Sequence, residues 1–353
     1  MKSIISAFAL VLCASDSTDL ATRYTEGRGV RVEVETWFET ETVDMTITVD
    51  GEEREGFGAG ATSNETRRTV FTDEWLAITD GAPTHVRRSI EELSTSGSMS
   101  FGDQERESSH EYPLVDAVLE LKVKDGEVKA EVVEGEGPDD DELLTTLRLE
   151  LAIDALLPEG EVDEGDEWEP ESEALVRALG ADLEQLYFPQ PPREESEEEG
   201  GRGRRRGGRS GGPSVLANMF RSGEWEVTCK LRELESEYDG TPCVAIALEL
   251  ECSGDLPERE RGEGGGGRRG GRQLEPGVPG PLPLETSFDL DARGLLYISL
   301  DAGRPLALEL EGEFTIDSER TRSRGDSEMT ISTSQRGSFT HTVALSTVTA
   351  EDE

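Results

Sequence analysis

The sequence predicts a mainly β protein, an antiparallel meander forming a curved sheet or half-barrel, with two inserted helices at about 139–157 and 171–187. Three observations point there. Trp225, Val227, Cys229 and Leu231 alternate with polar residues, as do Val244, Ile246, Leu248, Leu250 and Cys252, which is the period of half-buried strands. Asp239-Gly240 separates the two runs as a hairpin signal, and the same device recurs on both sides of them. Leu143, Leu144, Leu147, Leu151 and Ala155, and later Leu175, Leu179, Leu183 and Leu186, fall instead at helical intervals.

Taken in order, Met1-Lys2-Ser3, an apolar run from Ile4 to Leu12 and the small residues Ala14 and Ser15 make residues 1–15 a signal peptide. Leu10-Val11-Leu12-Cys13 resembles the lipobox of bacterial lipoproteins, whose Cys is lipidated after cleavage, although Leu12 stands where that pattern has a small residue. Cys13 is either lipidated or removed. Residues 16–190 follow as a β-rich region carrying the helical insert. Val30, Val32 and Val34, then Val43, Met45, Ile47 and Val49, read as two strands that stop at Asp50-Gly51. Residues 52–66 read as an acidic, Gly-containing loop with an Asn64-Glu65-Thr66 glycosylation pattern. Shorter strands are expected at 69–78, 83–93 and 99–101, with 86–93 also compatible with a helix. Leu119, Leu121 and Val123 face Val128, Ala130 and Val132 across Asp125-Gly126, the clearest hairpin of the first half.

The acidic run from Asp139 to Glu142 suits the first turn of a helix, where carboxylates oppose the positive end of the helix dipole. Pro158 ends that helix, and Pro189, Pro191 and Pro192 end the next. Residues 191–214, rich in Glu, Arg and Gly, and 258–283, rich in Arg, Gly and Pro, cannot bury apolar surface and read as disordered linkers. They bracket the central hairpin at 215–257. Residues 284–353 read as a C-terminal meander with turns at 291–294, 301–304 and 336–337; the alternative is that residues 15–353 form one composite domain.

The chain holds 78 Asp and Glu against 35 Lys and Arg, a formal net charge of -43, which repels phosphate backbones and anionic lipid. Nucleic acid is therefore a disfavoured partner. Only 34% of residues are apolar, so part of the chain should stay solvated. After the leader no run approaches the length of a transmembrane helix, so an exported protein without a membrane span is expected, periplasmic, envelope-associated or secreted. Cys229 and Cys252 share the apolar parity and would lie opposite each other if the turn centres near Gly240 and Thr241, so they are the expected disulfide.

Candidate chemistry is sparse. His85, His110 and His341 lack ligand spacing, and the cysteines form no C-x-x-C pair, so no metal is expected. Gly208-Arg209-Ser210-Gly211-Gly212 matches a hydrolase elbow in letters, but neither a strand nor a helix flanks it. Asp289-Leu290-Asp291 begins like a calcium loop, with Arg293 and Leu300 where oxygen ligands belong. The Arg/Gly tracts contain no aromatic residue to stack on bases. No catalytic, cofactor or metal residue is expected, and the protein is not expected to be an enzyme. The expected function is that of an exported, non-enzymatic binding or carrier protein of the cell envelope, holding an apolar small molecule against Val32, Val34, Leu248 and Leu250. The alternative is a structural or interaction protein that meets an envelope protein through its acidic surface or its Arg/Gly loops. In outline the architecture resembles the exported carrier folds that hold lipid or lipoprotein chains, a likeness of architecture alone.

Overall fold

The computed structural model describes residues 17–55, 59–138, 140–158, 160–189, 215–256, 284–324 and 327–348. The predicted signal peptide with Cys13, both predicted linkers and the 208–212 motif lie outside them. The strands are β1 (Thr18–Asp19), β2 (Gly29–Val49), β3 (Glu52–Glu55), β4 (Thr62–Thr79), β5 (Ala82–Phe101), β6 (Gln104–Glu111), β7 (Val118–Lys124), β8 (Glu127–Glu134), β9 (Glu161–Val162) and β10 (Glu167–Trp168). They continue with β11 (Glu224–Tyr238), β12 (Thr241–Asp255), β13 (Leu284–Ser299), β14 (Arg304–Arg324) and β15 (Ser327–Val348). Thirteen of them form one antiparallel sheet in the order β10-β11-β12-β13-β14-β15-β2-β4-β5-β7-β8, with β3 on β2 and β6 on β5. The sheet is not closed into a barrel; β10 and β8 are its ends. β15 pairs with β2 from Val348↔Gly29 to Met329↔Val49, which fuses the N- and C-terminal halves. Among the described residues no helix is long and apolar enough to cross a membrane.

The turns follow from chemistry. Asp50-Gly51, Asp80-Gly81, Asp125-Gly126 and Asp239-Gly240 all have positive φ at both residues, between 46° and 84°, and each joins adjacent strands. Paired left-handed residues match the twist of a two-residue hairpin, and Asp-Gly is one of the few dipeptides that tolerate them.

Two other predicted turns are not turns. β13 runs straight through 291–294 and β15 straight through Arg336-Gly337. Their glycines serve close approach: a Cβ on Gly294 would lie 2.1 Å from the Glu309 carbonyl oxygen, and one on Gly337 would lie 2.3 Å from the ring of Phe314, its cross-strand partner. The predicted short strands at 69–78, 83–93 and 99–101 lie within the long strands β4 and β5, which rules out a helix at 86–93. β3 adds a short strand inside the expected 52–66 loop, and Asn64 sits in β4 with its amide bonded to Ser98.

Both helical inserts exist, each in two pieces. The first gives 3-10 helices at Asp141–Thr146 and Ala152–Leu156. Asp140 caps the first, accepting from the Glu142 N–H at 3.0 Å. Thr145 and Thr146 hydroxyls bond back to the carbonyls of Glu142 and Leu143, competing with a longer helix. Between the pieces the chain bends at 149–150, and Leu147, Leu149 and Leu151 are all buried. The second insert gives α1 (Ser172–Ala178) and α2 (Glu184–Tyr187). Gly180, at φ 65°, stops α1 in a Schellman motif: its N–H bonds to Arg177 O and that of Ala181 to Val176 O. A further helix, α3 (Val215–Ser222), lies at the head of the segment predicted as hairpin alone and packs on β12. The Gly-Glu-Trp echo also has a structural counterpart, since the Trp168 and Trp225 indole N–H groups each donate to the end of a preceding helix, at Leu156 O and Phe220 O.

These helices lie on the sheet's inner face, and the core forms between the two layers. The outer face is solvated and acidic. Glu226, Glu251, Asp291 and Glu313 lie directly opposite one another on four successive strands, β11 to β14.

Candidate binding cleft

Residues two apart on a strand share a face, so Val32, Val34, Thr36 and Phe38 of β2 form one inward row, with Arg67, Thr69 and Phe71 of β4 beside it and Val343 and Leu345 of β15 on the other side. The insert roofs this floor with Leu151, Ile153, Leu179 and Leu183, and α3 adds Leu216 and Phe220. Between floor and roof lies a largely apolar cleft of about 130 Å³.

One wall is an ion-pair network. Asp73 and Arg88 are cross-strand partners on β4 and β5 and both point inward, with 0% and 4% exposure. Arg88 donates from Nε and Nη2 to the two Asp73 carboxylate oxygens, at 2.7 Å each, and from Nη1 to the Tyr187 hydroxyl at 3.2 Å. Its guanidinium also lies 4.3 Å from the Phe71 ring centre. Burial works against the charge, but the Asp73 carboxylate and Tyr187 outweigh it, so the Arg88 pKa is raised. Arg67 pairs with Glu65 at 2.5 Å and with Glu184 of α2, and lies 5.3 Å from the Phe188 ring centre. Arg88 and Arg67 thereby tie α2 to the sheet.

Two further buried polar groups flank the cleft. His341, fully buried on β15, holds the Thr36 hydroxyl at 2.8 Å through Nδ1, while its Nε2 has no partner among the described residues. Burial lowers its pKa to about 4. Asp154, in the second 3-10 helix, accepts from the Thr22 hydroxyl at 2.6 Å and from the Tyr24 hydroxyl, which in turn accepts from the Leu151 N–H. Burial raises the Asp154 carboxyl to about 6 against those hydroxyls.

Of the apolar residues named from the sequence, Val32 and Val34 line the cleft. Leu248 and Leu250 are buried on β12, but they lie in the packed core beyond the cleft, on the strand that α3 covers. The expected Cys229–Cys252 disulfide is not formed: Cys229, Cys243 and Cys252 are all free and buried. The turn closes at Asp239-Gly240, with Tyr238 opposite Thr241, and bulges between Leu231 and Glu233 and between Glu233 and Ser236 shift the register further, so Cys229 faces Leu248 and Cys252 faces Trp225. Among the described residues no group of three or more His, Cys, Asp or Glu is placed to hold a metal. The charged wall went unread in the sequence, although it left a signal there: Asp73 and Arg88 break the apolar parity of their strands and are equidistant from the Asp80-Gly81 turn.

No protein family matches the chain by sequence, and no curated protein does. Among solved structures, one of lipid–protein interactions in lipovitellin matches at 7% identity and TM-score 0.27, covering 89% of this chain and 25% of that one. The outer membrane protein OprG of Pseudomonas aeruginosa matches at 7% identity and TM-score 0.18, covering 93% and 98% of the two chains. OccK7 (OpdD) of the same organism matches at 8% identity and TM-score 0.23, covering 91% and 100%. The chain thus spans about a quarter of the lipovitellin chain. At such TM-scores these likenesses constrain neither ligand nor activity.

Proposed function

We propose that the chain is a non-catalytic binding or carrier protein, exported to the cell envelope, that holds a compact apolar molecule between the sheet and its helical insert. The observation that carries this is the apolar cleft of about 130 Å³ floored by Val32, Val34 and Phe71 and roofed by Ile153 and Leu216. Apolar cavities of about 150 Å³ accept benzene, so one ring or a short branched alkyl group fits, while a longer tail must leave through the mouth. The inner charged groups are engaged with one another, Arg88 with Asp73 and Arg67 with Glu65 and Glu184, which suits a structural wall better than a reactive one. Export rests on the leader-like residues 1–15.

Native mass spectrometry of the full chain from its own envelope fraction tests this. A bound small molecule that is lost on denaturation, and is absent from a Val34→Trp variant, is the expected result. An empty wild-type chain that also fails to take up added toluene would favour a filled core and the structural role.

A further inference from the structure

We infer that the outer edge of β8 pairs with β8 of a second copy of this chain, antiparallel and about a two-fold axis through Ala130, so that two sheets join into one. The opposite end of the sheet is guarded, since β10 covers the middle of β11 and two bulges bend that strand. β8 lacks such cover. It pairs with β7 in unbroken register from Glu127 to Val132, its one irregularity falling at Val133, and among the described residues no strand lies beyond it. Alternate residues along that edge therefore present unpaired N–H and C=O groups.

The side chains of β8 are those of a strand short of a neighbour. Val128, Ala130 and Val132 stand opposite Val123, Leu121 and Leu119 on the inner side, yet all three are only half-buried, and Val123 and Val133 are 43% and 42% exposed. On the outer side Glu131 lies directly opposite Glu120, and Lys129 directly opposite Lys122, two like-charge pairs that cost stability. Glu120 is engaged by Lys122 and Arg87, and Lys129 reaches only the exposed Glu127. Glu131 forms no ion pair with a described residue. Each half of this edge thus lacks an opposite charge across a strand.

A reversed copy of the same strand supplies it. Cross-strand partners share a face, so inner positions must meet inner positions, and only two-fold registers centred on a residue are allowed. Centring on Ala130 sets Lys129 against Glu131 twice and Val128 against Val132 twice. One step either way sets Lys129 against its own copy or Glu131 against its own copy, so charge selects the Ala130 register. An edge guarded by one sign of charge would repel its copy; the alternation of Glu127, Lys129 and Glu131 does not. Both inner faces, with their helical layers, then lie on the same side of the joined sheet.

Sedimentation velocity of the full chain between about 1 and 200 µM, in 0.3 M salt to screen the general repulsion of two acidic chains, tests this. The wild type should pass from monomer to dimer over that range. Lys129→Glu and Glu131→Lys each turn two attractive pairs into two repulsive ones and should each weaken the dimer about ten-fold or more. Mixed together they should regain wild-type affinity, because every repulsive pair becomes attractive in the heterodimer. Amide exchange of residues 127–134 should also be slower at the highest wild-type concentration than at the lowest. A wild type that stays monomeric at 200 µM would overturn the inference, as would a dimer indifferent to both substitutions or a mixture that fails to reassociate. Should either variant fail to fold, the concentration dependence of exchange in β8 of the wild type decides: protection confined to another strand refutes the interface.

Discussion

Removing the Asp73 carboxylate should unbalance the protein more than any other single side-chain change on the cleft wall. Asp73→Ala leaves the Arg88 guanidinium charged, 4% exposed, and without its two 2.7 Å acceptors. Breaking a buried pair from one side costs about 3–5 kcal/mol, because the surviving charge stays desolvated. The Phe71 ring, 4.3 Å away, and the Tyr187 hydroxyl remain as partners. The ring offsets ~1–2 kcal/mol at most, which places the expected loss near 3 kcal/mol. Against a total stability of about 5–15 kcal/mol this is a large fraction. Replacing both partners with apolar residues, Asp73→Leu/Arg88→Met, removes the charge with its counter-charge and should return to within about 1 kcal/mol of wild type. Urea unfolding followed by circular dichroism and tryptophan fluorescence reads both variants as midpoint shifts at constant slope. A loss under about 1 kcal/mol for Asp73→Ala, or a double variant as unstable as the single one, would refute the buried-pair description.

Because burial holds the His341 imidazole at about 4 instead of 6.5, its contribution to stability is complete above about pH 6.5 and is lost as pH falls toward 4; His341→Gln should flatten that part of a stability-versus-pH curve. Asp154, raised from 3.8 to about 6, does the reverse, contributing below about pH 4 and losing that contribution as pH rises through 6, so Asp154→Asn should steepen the acid-side loss. Burial pushes the Cys229 and Cys252 thiols up to about 12, so iodoacetamide at pH 8 should label them in urea but not in the native chain; a disulfide mapped by peptide mass to Cys229 and Cys252 would overturn the hairpin register. The row Glu226, Glu251, Asp291 and Glu313 places like charges directly opposite, so Asp291→Asn should stabilise by about 0.5–1 kcal/mol in 10 mM salt and by much less in 1 M, as read from thermal midpoints.

The β architecture was legible because its two signals are local. Period-two alternation marks an inner face wherever it occurs, and Asp-Gly marks a turn because few dipeptides accept two positive φ values. Glycine alone is ambiguous. At 240 it bends the chain, whereas at 294 and 337 it makes room for a neighbouring strand's backbone or ring, and only the partner strand distinguishes the two uses. The helical spacing of Leu143, Leu144, Leu147 and Leu151 masked the alternation of Leu147, Leu149 and Leu151, since both patterns share residues. The cysteine pairing failed first at the turn, which closes at Asp239-Gly240 and would by itself set Cys229 opposite Leu250, and then at two bulges in β11 that move the register further and that no residue type announces. For the cleft, the floor was half visible, as Val32 and Val34 stand in the row that lines it, while Leu248 and Leu250 have the same pattern on a strand that α3 covers. Face can be read from a strand; what packs on that face cannot.

The most direct test of an apolar, ligand-accepting cleft is diffraction from crystals held under xenon, which enters dry apolar cavities without needing polar contacts. A xenon peak between Val34, Phe71, Ile153 and Leu216, displaced in Val34→Trp, is the expected result. Side chains packed across that space with no xenon between them would contradict the proposed function.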